Sequence, residues 1–429
     1  MTLYLQTLGC RLNQAEEARF AADFLAAGFT LVDNPAVADL CLIHSCTITR
    51  QAERHSLRLV TAFKESRAPA PPLVVFTGCA VTTSSTGRLA AAGVDLIVPR
   101  HELEQLLPRV IELTGGEPGA DVAARAAAAP PRFRTRRALL RLQDGCDFNC
   151  AYCIVPHTRG APVSRPFREV EREALALLAQ GHRELVLTGC NLATYRDAGR
   201  DLPAAAAALA RLAREHQARI RLGSVEPATV ERELAELMRV TPNLCRSLHL
   251  PLQSGADATL QQMGRRYGAA EVVETLSYIR QLLPDLALGS DLITGFPGED
   301  EADFAATVAL LERFEFAKLH IFPYSPRPGT RAATLPGRPP VQVARERARE
   351  LRHIGGAMRQ RYAARWQGRQ VEVLLENSTS DGIRHGWSDT YLPCRLHDPV
   401  TPDGHLTTFV PDTVCGDLLT QSGISPANP

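Results

Sequence analysis

Lysine is nearly missing from this chain of 429 residues, occurring only at Lys64 and Lys318. Arginine carries the rest of the positive charge, and 48 Lys plus Arg offset 47 Asp plus Glu for a net charge of +1. That balance neither supports nor excludes a nucleic-acid partner. Arginine suits phosphate forks and base stacking, but the bias is read first as genome composition. No run approaches the roughly 18 apolar residues needed to span a bilayer. The first ten residues hold no basic segment and no long apolar core, so no secretory signal is expected. The expectation is a cytoplasmic, monomeric protein without a membrane partner. No Ser–His–Asp or paired-carboxylate arrangement stands out. Cysteine, in contrast, is plentiful at eleven. A reducing compartment disfavours structural disulfides, so these thiols point to metal binding or catalysis.

Hydrophobic content of 45% and this length suit two or three packed domains. The spacing predicts strands at Leu3–Leu8, Asp39–Ser45, Leu73–Thr77 and Val94–Val98, with helices such as Asn13–Ala27 and His101–Leu113 between and after them. Such alternation predicts a parallel sheet flanked by helices. Gly115–Pro131, rich in Ala, Gly and Pro, reads as a linker. Further strands are expected at Leu139–Gln143, Glu184–Thr188, Arg219–Val225, Ser247–Leu250, Leu286–Ile293 and Ala317–Phe322. Six strand–helix units fit an open, partial parallel barrel better than a full eight-unit one. Arg345–Arg369 reads as a long amphipathic helix, and Val371–Leu375, Tyr391–Arg395 and Leu406–Val410 as strands of a small β domain. The fold class is thus α/β: an N-terminal parallel α/β sheet domain (1–114), a linker (115–135), a central partial (β/α)6 barrel (136–368) and a small C-terminal β-barrel (369–429).

Cys146, Cys150 and Cys153 form a Cys-x3-Cys-x2-Cys triplet directly after the first central strand. Three thiolates can hold an iron–sulfur cluster and leave one iron open to chelate a small molecule. Structural zinc normally takes four ligands, often as two separated pairs, and no fourth Cys is nearby. The carboxyl end of a parallel strand is also where α/β sheets and barrels gather chemistry. Gly189, Ser224, Glu226, Gln253 and Asp291 fall at or near other strand ends, where polar groups can converge on one ligand; the alternative for each is loop structure or capping.

A second set is dispersed. Cys10, Cys46 and Cys79 each follow a different predicted strand of the first sheet. Ends of parallel strands lie on one edge, so these three thiols are expected to meet in space and to suit another cluster. Cys41 is the internal control: within its strand it lies roughly 16 Å from Cys46 at the usual rise, and reads as a core thiol. Cys245, Cys394 and Cys415 lack partners at ligand spacing, as does Cys190, though Cys190 follows Leu187-Thr-Gly189 and so falls near the site.

Taken together with Ser224-Val-Glu226-Pro227, His249-Leu-Pro251-Leu-Gln253-Ser254-Gly255, Gly295-Phe-Pro-Gly298-Glu299 and Phe322 to Thr330, the chain resembles radical S-adenosylmethionine enzymes of the methylthiotransferase family over essentially its whole length. The resemblance implies two [4Fe–4S] clusters, one on Cys146, Cys150 and Cys153 and one on Cys10, Cys46 and Cys79. It implies S-adenosylmethionine bound by the first, with Tyr152 packed by its adenine. It also implies a TRAM-like C-terminal domain, a low-potential electron donor such as flavodoxin or ferredoxin, and a sulfur source. The reaction implied is radical hydrogen abstraction, sulfur insertion and methyl transfer. His44-Ser45-Cys46 departs from the family's more common Asn-Thr-Cys, with the ligand kept.

Family subgroups act on isopentenyladenosine in tRNA, on N6-threonylcarbamoyladenosine in the tRNA anticodon stem-loop, or on an Asp of a small-subunit ribosomal protein. Gly9-Cys10-Arg11-Leu12-Asn13 is most similar to the threonylcarbamoyladenosine group. The other groups tend towards Gly-Cys-Gln-Met-Asn and Gly-Cys-Pro-Lys-Asn. From Arg369 onward three Arg face eight Asp plus Glu, a net of −5, which makes this segment a poor phosphate binder by itself. Arg132–Arg137, Arg265, Arg266 and the long helix are the better cationic candidates; Trp387 and Tyr391 are read as core. A non-catalytic, metal-stabilised RNA-binding protein is the alternative of another class.

Overall fold

The structure is a computed structural model that describes residues 1–66, 70–84, 86–117, 129–227, 232–379 and 382–424. Most of the expected linker, 118–128, lies outside the described residues. No described helix is long and apolar enough to cross a membrane.

Five strands, β1 (Thr2–Thr7), β2 (Thr30–Leu31), β3 (Leu40–Ser45), β4 (Leu73–Gly78) and β5 (Leu96–Val98), form one parallel sheet in the order β2-β1-β3-β4-β5. The period of two along a strand sends alternate residues to opposite faces. Leu40 and Leu42 join Phe20 and Phe24 in one apolar layer, while Cys41 and Ile43 join Val60 and Phe63 in the other. Both faces are covered, so β3 is buried at every position. The short β2 strand escaped the sequence pattern.

The central region contains β6 (Arg137–Arg141), β7 (Gln143–Asp144), β8 (Val163–Ser164), β9 (Glu184–Thr188), β10 (Arg219–Leu222), β11 (Ser247–His249), β12 (Ala287–Thr294) and β13 (Lys318–Pro323). Two parallel three-stranded sheets, β10-β9-β6 and β11-β12-β13, are joined by single bridges at Ile220–Leu244 and Ser224–His249. The six expected strands are therefore present as an open arc, and no closed barrel forms among the described residues. Helix Phe167–Ala179 covers the arc by burying Phe167, Val170, Ala174, Leu177 and Leu178, a helical stripe.

In the C-terminal region β14 (Val371–Ser378), β15 (Ile383–Ser388), β16 (Pro393–His397), β17 (Leu406–Phe409), β18 (Thr413–Cys415) and β19 (Leu418–Thr420) make a six-stranded sheet in the order β17-β14-β15-β16-β19-β18. The expected small barrel is thus a sheet, with no closing pair among the described residues. The expected strand at Tyr391 starts two residues later, because Tyr391 has φ +65° and cannot continue an extended path. The long helix spans Val341–Ala364 rather than Arg345–Arg369.

A buried ion trio fastens this sheet to the central arc. Glu184 on β9 is fully buried and takes Arg219 and Arg221 of β10, each 1% exposed, at 2.7 Å. Arg221 also donates to the carbonyls of Ser388 and Asp389, and Arg219 to that of Trp387. Burial alone would raise the Glu184 carboxyl, but Arg221 and Arg219 outweigh it and hold the group well below its usual range. A carboxylate with a depressed folded value adds stability above its unfolded value of about 4.3, lost as pH falls through the folded one. Glu184→Ala is expected to destabilise the protein by about 3–5 kcal/mol. Glu184→Gln is expected to flatten the stability loss that the wild type shows below about pH 4. Denaturant titrations across pH check both.

Candidate active site: two thiol sets around one cavity

Cys46 and Cys79 follow β3 and β4 directly, and Cys10 follows β1 after Leu8 and Gly9; the three strands are adjacent in the sheet, so their thiols sit along one edge. Cys10 is the residue that caps helix Arg11–Ala26, and Cys79 begins a turn of helix at Ala80–Thr83. Gly9 has φ +101°, and a Cβ there would lie 2.5 Å from Cys46 Sγ; only glycine lets these two loops approach so closely. Gly78, before Cys79, has φ +95°, and a Cβ there would meet the Ser45 carbonyl at 2.5 Å. Asn13, fully buried, donates to the carbonyls of Leu8 and Ser45 and so stitches β1's loop to β3's. Burial raises the Cys46 thiol to about 11 and also raises Cys79, against the pull of Arg159 and Arg100 on the latter.

The second set sits on the loop after β7. Gln143 donates to the carbonyls of Asp144 and Gly145 and accepts from the Asn191 amide, tying this loop to the end of β9. Ala151 N donates to the Met263 carbonyl, and Cys153 N to that of Cys150. Arg265 reaches in from the side, donating to Cys150 Sγ at 3.3 Å, Tyr152 Oη at 3.1 Å and Glu226 Oε1 at 2.5 Å. Burial among its neighbours pushes the Cys153 thiol up to about 12.

All six of these cysteines line a single cavity of about 460 Å³. Tyr152, Gly189, Ser224, Glu226, Gln253 and Asp291 line it too. Asp291 lies 3.1 Å from His249 Nε2 and 3.4 Å from His320 Nδ1; burial would raise its carboxyl, but the two imidazoles lower it well below its usual range. Gly189 packs so close to Gln143 that a Cβ would fall 2.9 Å from Oε1. Cys41 stays in the sheet core, away from the cavity, its thiol raised by burial to about 12. Cys190 does line the cavity and bonds Asp144.

Several site residues escaped the sequence reading. Arg159, 3% exposed, spans from the central domain to Asn13 at 2.6 Å and Asp144 at 2.8 Å. Arg327, 2% exposed, reaches across to Thr47 and Glu53, each at 2.5 Å, beside Cys46. Arg265 is a cavity residue and is not available as an RNA-facing cation. Arg137 pairs with Glu376, the long helix pairs Arg347 with Glu299 and Arg359 with Asp417, and Arg365, just past its end, pairs with Asp285. Tyr391 lines the cavity instead of a core. Its only legible signal was being aromatic; Lys318's was rarity.

An open parallel arc carrying a Cys-x3-Cys-x2-Cys loop at its carboxyl edge defines a radical S-adenosylmethionine enzyme. The Radical SAM superfamily model matches residues 140–311, and the model described as Uncharacterized protein family UPF0004 matches 2–99. The chain is 30% identical over 401 residues to a protein of Thermotoga maritima named Threonylcarbamoyladenosine tRNA methylthiotransferase MtaB, covering 91% of this chain and 90% of that one. It is 36% identical over 389 residues to the tRNA-2-methylthio-N(6)-dimethylallyladenosine synthase of Saccharophagus degradans, covering 87% and 85%. Among solved structures, the radical S-adenosylmethionine methyltransferase TsrM from Kitasatospora setae shares the fold, with a TM-score of 0.55 at 15% identity over 77% of each chain. The chain belongs to the radical S-adenosylmethionine methylthiotransferase family, and its cofactors are [4Fe–4S] clusters and S-adenosylmethionine.

The residues present fit those groups. Among the described residues no three His, Cys, Asp or Glu side chains converge tightly enough for a single metal ion. Three thiols of each set line the cavity, the number that suits a four-iron cluster keeping one iron open. Cluster binding through Cys46, Cys79 and Cys153 would replace the protons that burial keeps on them. Gly9→Ala is expected to cost about 1–2 kcal/mol for the left-handed backbone and to displace Cys46. Thermal unfolding and iron content after anaerobic reconstitution measure both; iron should fall towards about four per chain while the central cluster is retained.

Proposed function

We propose that this enzyme methylthiolates N6-threonylcarbamoyladenosine next to the anticodon of tRNA. Action on tRNA by radical S-adenosylmethionine chemistry is common to the curated relatives, which bear the names of both adenosine substrates at similar identity. The observation that carries the reaction type is the shared cavity, with Cys146, Cys150 and Cys153 on one side of the domain seam and Cys10, Cys46 and Cys79 on the other. The Cys10-Arg11-Leu12-Asn13 turn supports the threonylcarbamoyl subgroup, and Arg11 lines that cavity.

In this reading the central cluster and S-adenosylmethionine, when bound, supply the carbon-activating radical, and the second cluster serves sulfur delivery. The protein places them. Arg265 orients Cys150, Tyr152 and Glu226; Gly189 gives the ligand close access to backbone; Ser224, Gln253 and Asp291 offer polar contacts. Holding reactants in line away from water supplies much of the rate. A low-potential flavodoxin or ferredoxin would supply the electron, a separate sulfur source the sulfur, and the cytoplasm the setting.

Mass spectrometry of tRNA nucleosides from a strain lacking the gene tests the substrate. The methylthio form of threonylcarbamoyladenosine is expected to vanish; loss of the methylthio-isopentenyl form instead would refute the assignment. Residue roles are tested separately. Cys46→Ala should hold about four irons instead of about eight and keep S-adenosylmethionine cleavage without methylthiolation, whereas Cys41→Ala should behave as wild type.

A further inference from the structure

One wall of the cavity carries more positive charge than its own carboxylates answer. Arg221 and Arg359 line it and Arg137 donates to Tyr391 Oη at 3.0 Å, but Glu184, Asp417 and Glu376 neutralise them in turn. Arg11 and Lys318 have no carboxylate partner among the described residues. Arg11 donates to Tyr391 Oη at 2.9 Å. The Lys318 ammonium makes no hydrogen bond among the described residues and rests 5.0 Å from the centre of the same ring. The acidic residues facing the cavity are engaged elsewhere: Glu226 with Arg265, Asp291 with His249 and His320. Burial lowers the Lys318 ammonium; Tyr391 pulls it back up, and Arg359, Arg11 and Arg137 lower it further.

A half-buried cation without a counter-ion costs free energy unless a ligand supplies one. Tyr391, the residue between the two cations, is held at φ +65°, a conformation costly for a side chain of its size. The subsite is therefore preorganised for an anion. The threonylcarbamoyl group ends in a carboxylate, attached to the same purine that must reach both thiol sets; an isopentenyl group has none and would leave both cations unanswered. We propose that Arg11 and Lys318, positioned by Tyr391, bind the carboxylate of the threonylcarbamoyl substituent and so set the substrate preference of the enzyme. The proposal rests on the substrate reading above.

The test compares binding of anticodon stem-loop RNA to the reconstituted holoenzyme. One RNA carries threonylcarbamoyladenosine, a second its methyl ester, which removes the charge and keeps the shape, and a third isopentenyladenosine. Wild type should bind the acid about tenfold or more tighter than the ester. Lys318→Met and Arg11→Met should bring that ratio close to one, while Lys318→Arg should retain it. Iron content reports whether each variant is intact, and Lys318 sits on β13 rather than on a loop that carries a thiol. Equal weakening of acid and ester RNAs by Lys318→Met would assign the cation to a backbone phosphate and overturn the carboxylate subsite. An unchanged ratio in both Met variants would overturn it as well. Preference of the wild type for the isopentenyl RNA is a separate failure: it removes the substrate reading itself, before any variant is compared.

Discussion

The active cavity exists only because two domains meet in one geometry, and Arg159 is the contact that defines the meeting. Its guanidinium leaves the short helix Val155–Arg159 that follows the Cys146–Cys153 triplet and donates to Asn13 and Asp144. Glu16 lies beside it, taking Arg100 at 2.6 Å, and Arg100 also pairs with Asp144. Burial alone would raise the Glu16 carboxyl, but His44, Arg159 and Arg100 hold it well below its usual range. Such a network adds little net stability over an apolar seam, because each charge loses its water. What it adds is register: a sliding interface would leave buried charges unpaired, so only one docking satisfies all of them. That register decides how far the two thiol sets stand apart.

The same logic recurs on the opposite side. The C-terminal sheet is locked to β9 and β10 through Glu184, Arg219 and Arg221, and the locking delivers Thr390 and Tyr391 to the cavity. Its net negative charge is awkward for a domain that grips RNA by phosphate contacts. It is less awkward for one whose contribution near the chemistry is an aromatic ring flanked by Arg11 and Lys318, cations from the other two domains.

The pattern of motifs was legible because chemistry at a strand end needs glycine and cysteine in fixed order. Gly-Cys at the ends of β1 and β4, the triplet after β7 and the Leu-Thr-Gly stretch at the end of β9 could be found by reading strand ends alone, and all twelve expected site residues line one cavity. Less legible were the sheet edges: β2 and β18, two and three residues long, are too short to show a period. The cationic candidates were misplaced for a different reason. A sequence reports that Arg265 or Arg347 is charged but not which carboxylate, from which distant segment, will face it.

The sequence by itself determined the class of chemistry, since thiol number, spacing and position relative to parallel strands are local or follow from topology. It also separated Cys41 from Cys46, because period and rise within a strand require no tertiary knowledge. Only the tertiary structure decided that both thiol sets share a cavity and that Arg159 and Arg265 serve them. It alone left Arg11 and Lys318 facing that cavity without a carboxylate partner among the described residues. Those outcomes depend on pairing between side chains hundreds of residues apart, such as Arg11 with Tyr391, and burial and pairing are properties of the assembled chain.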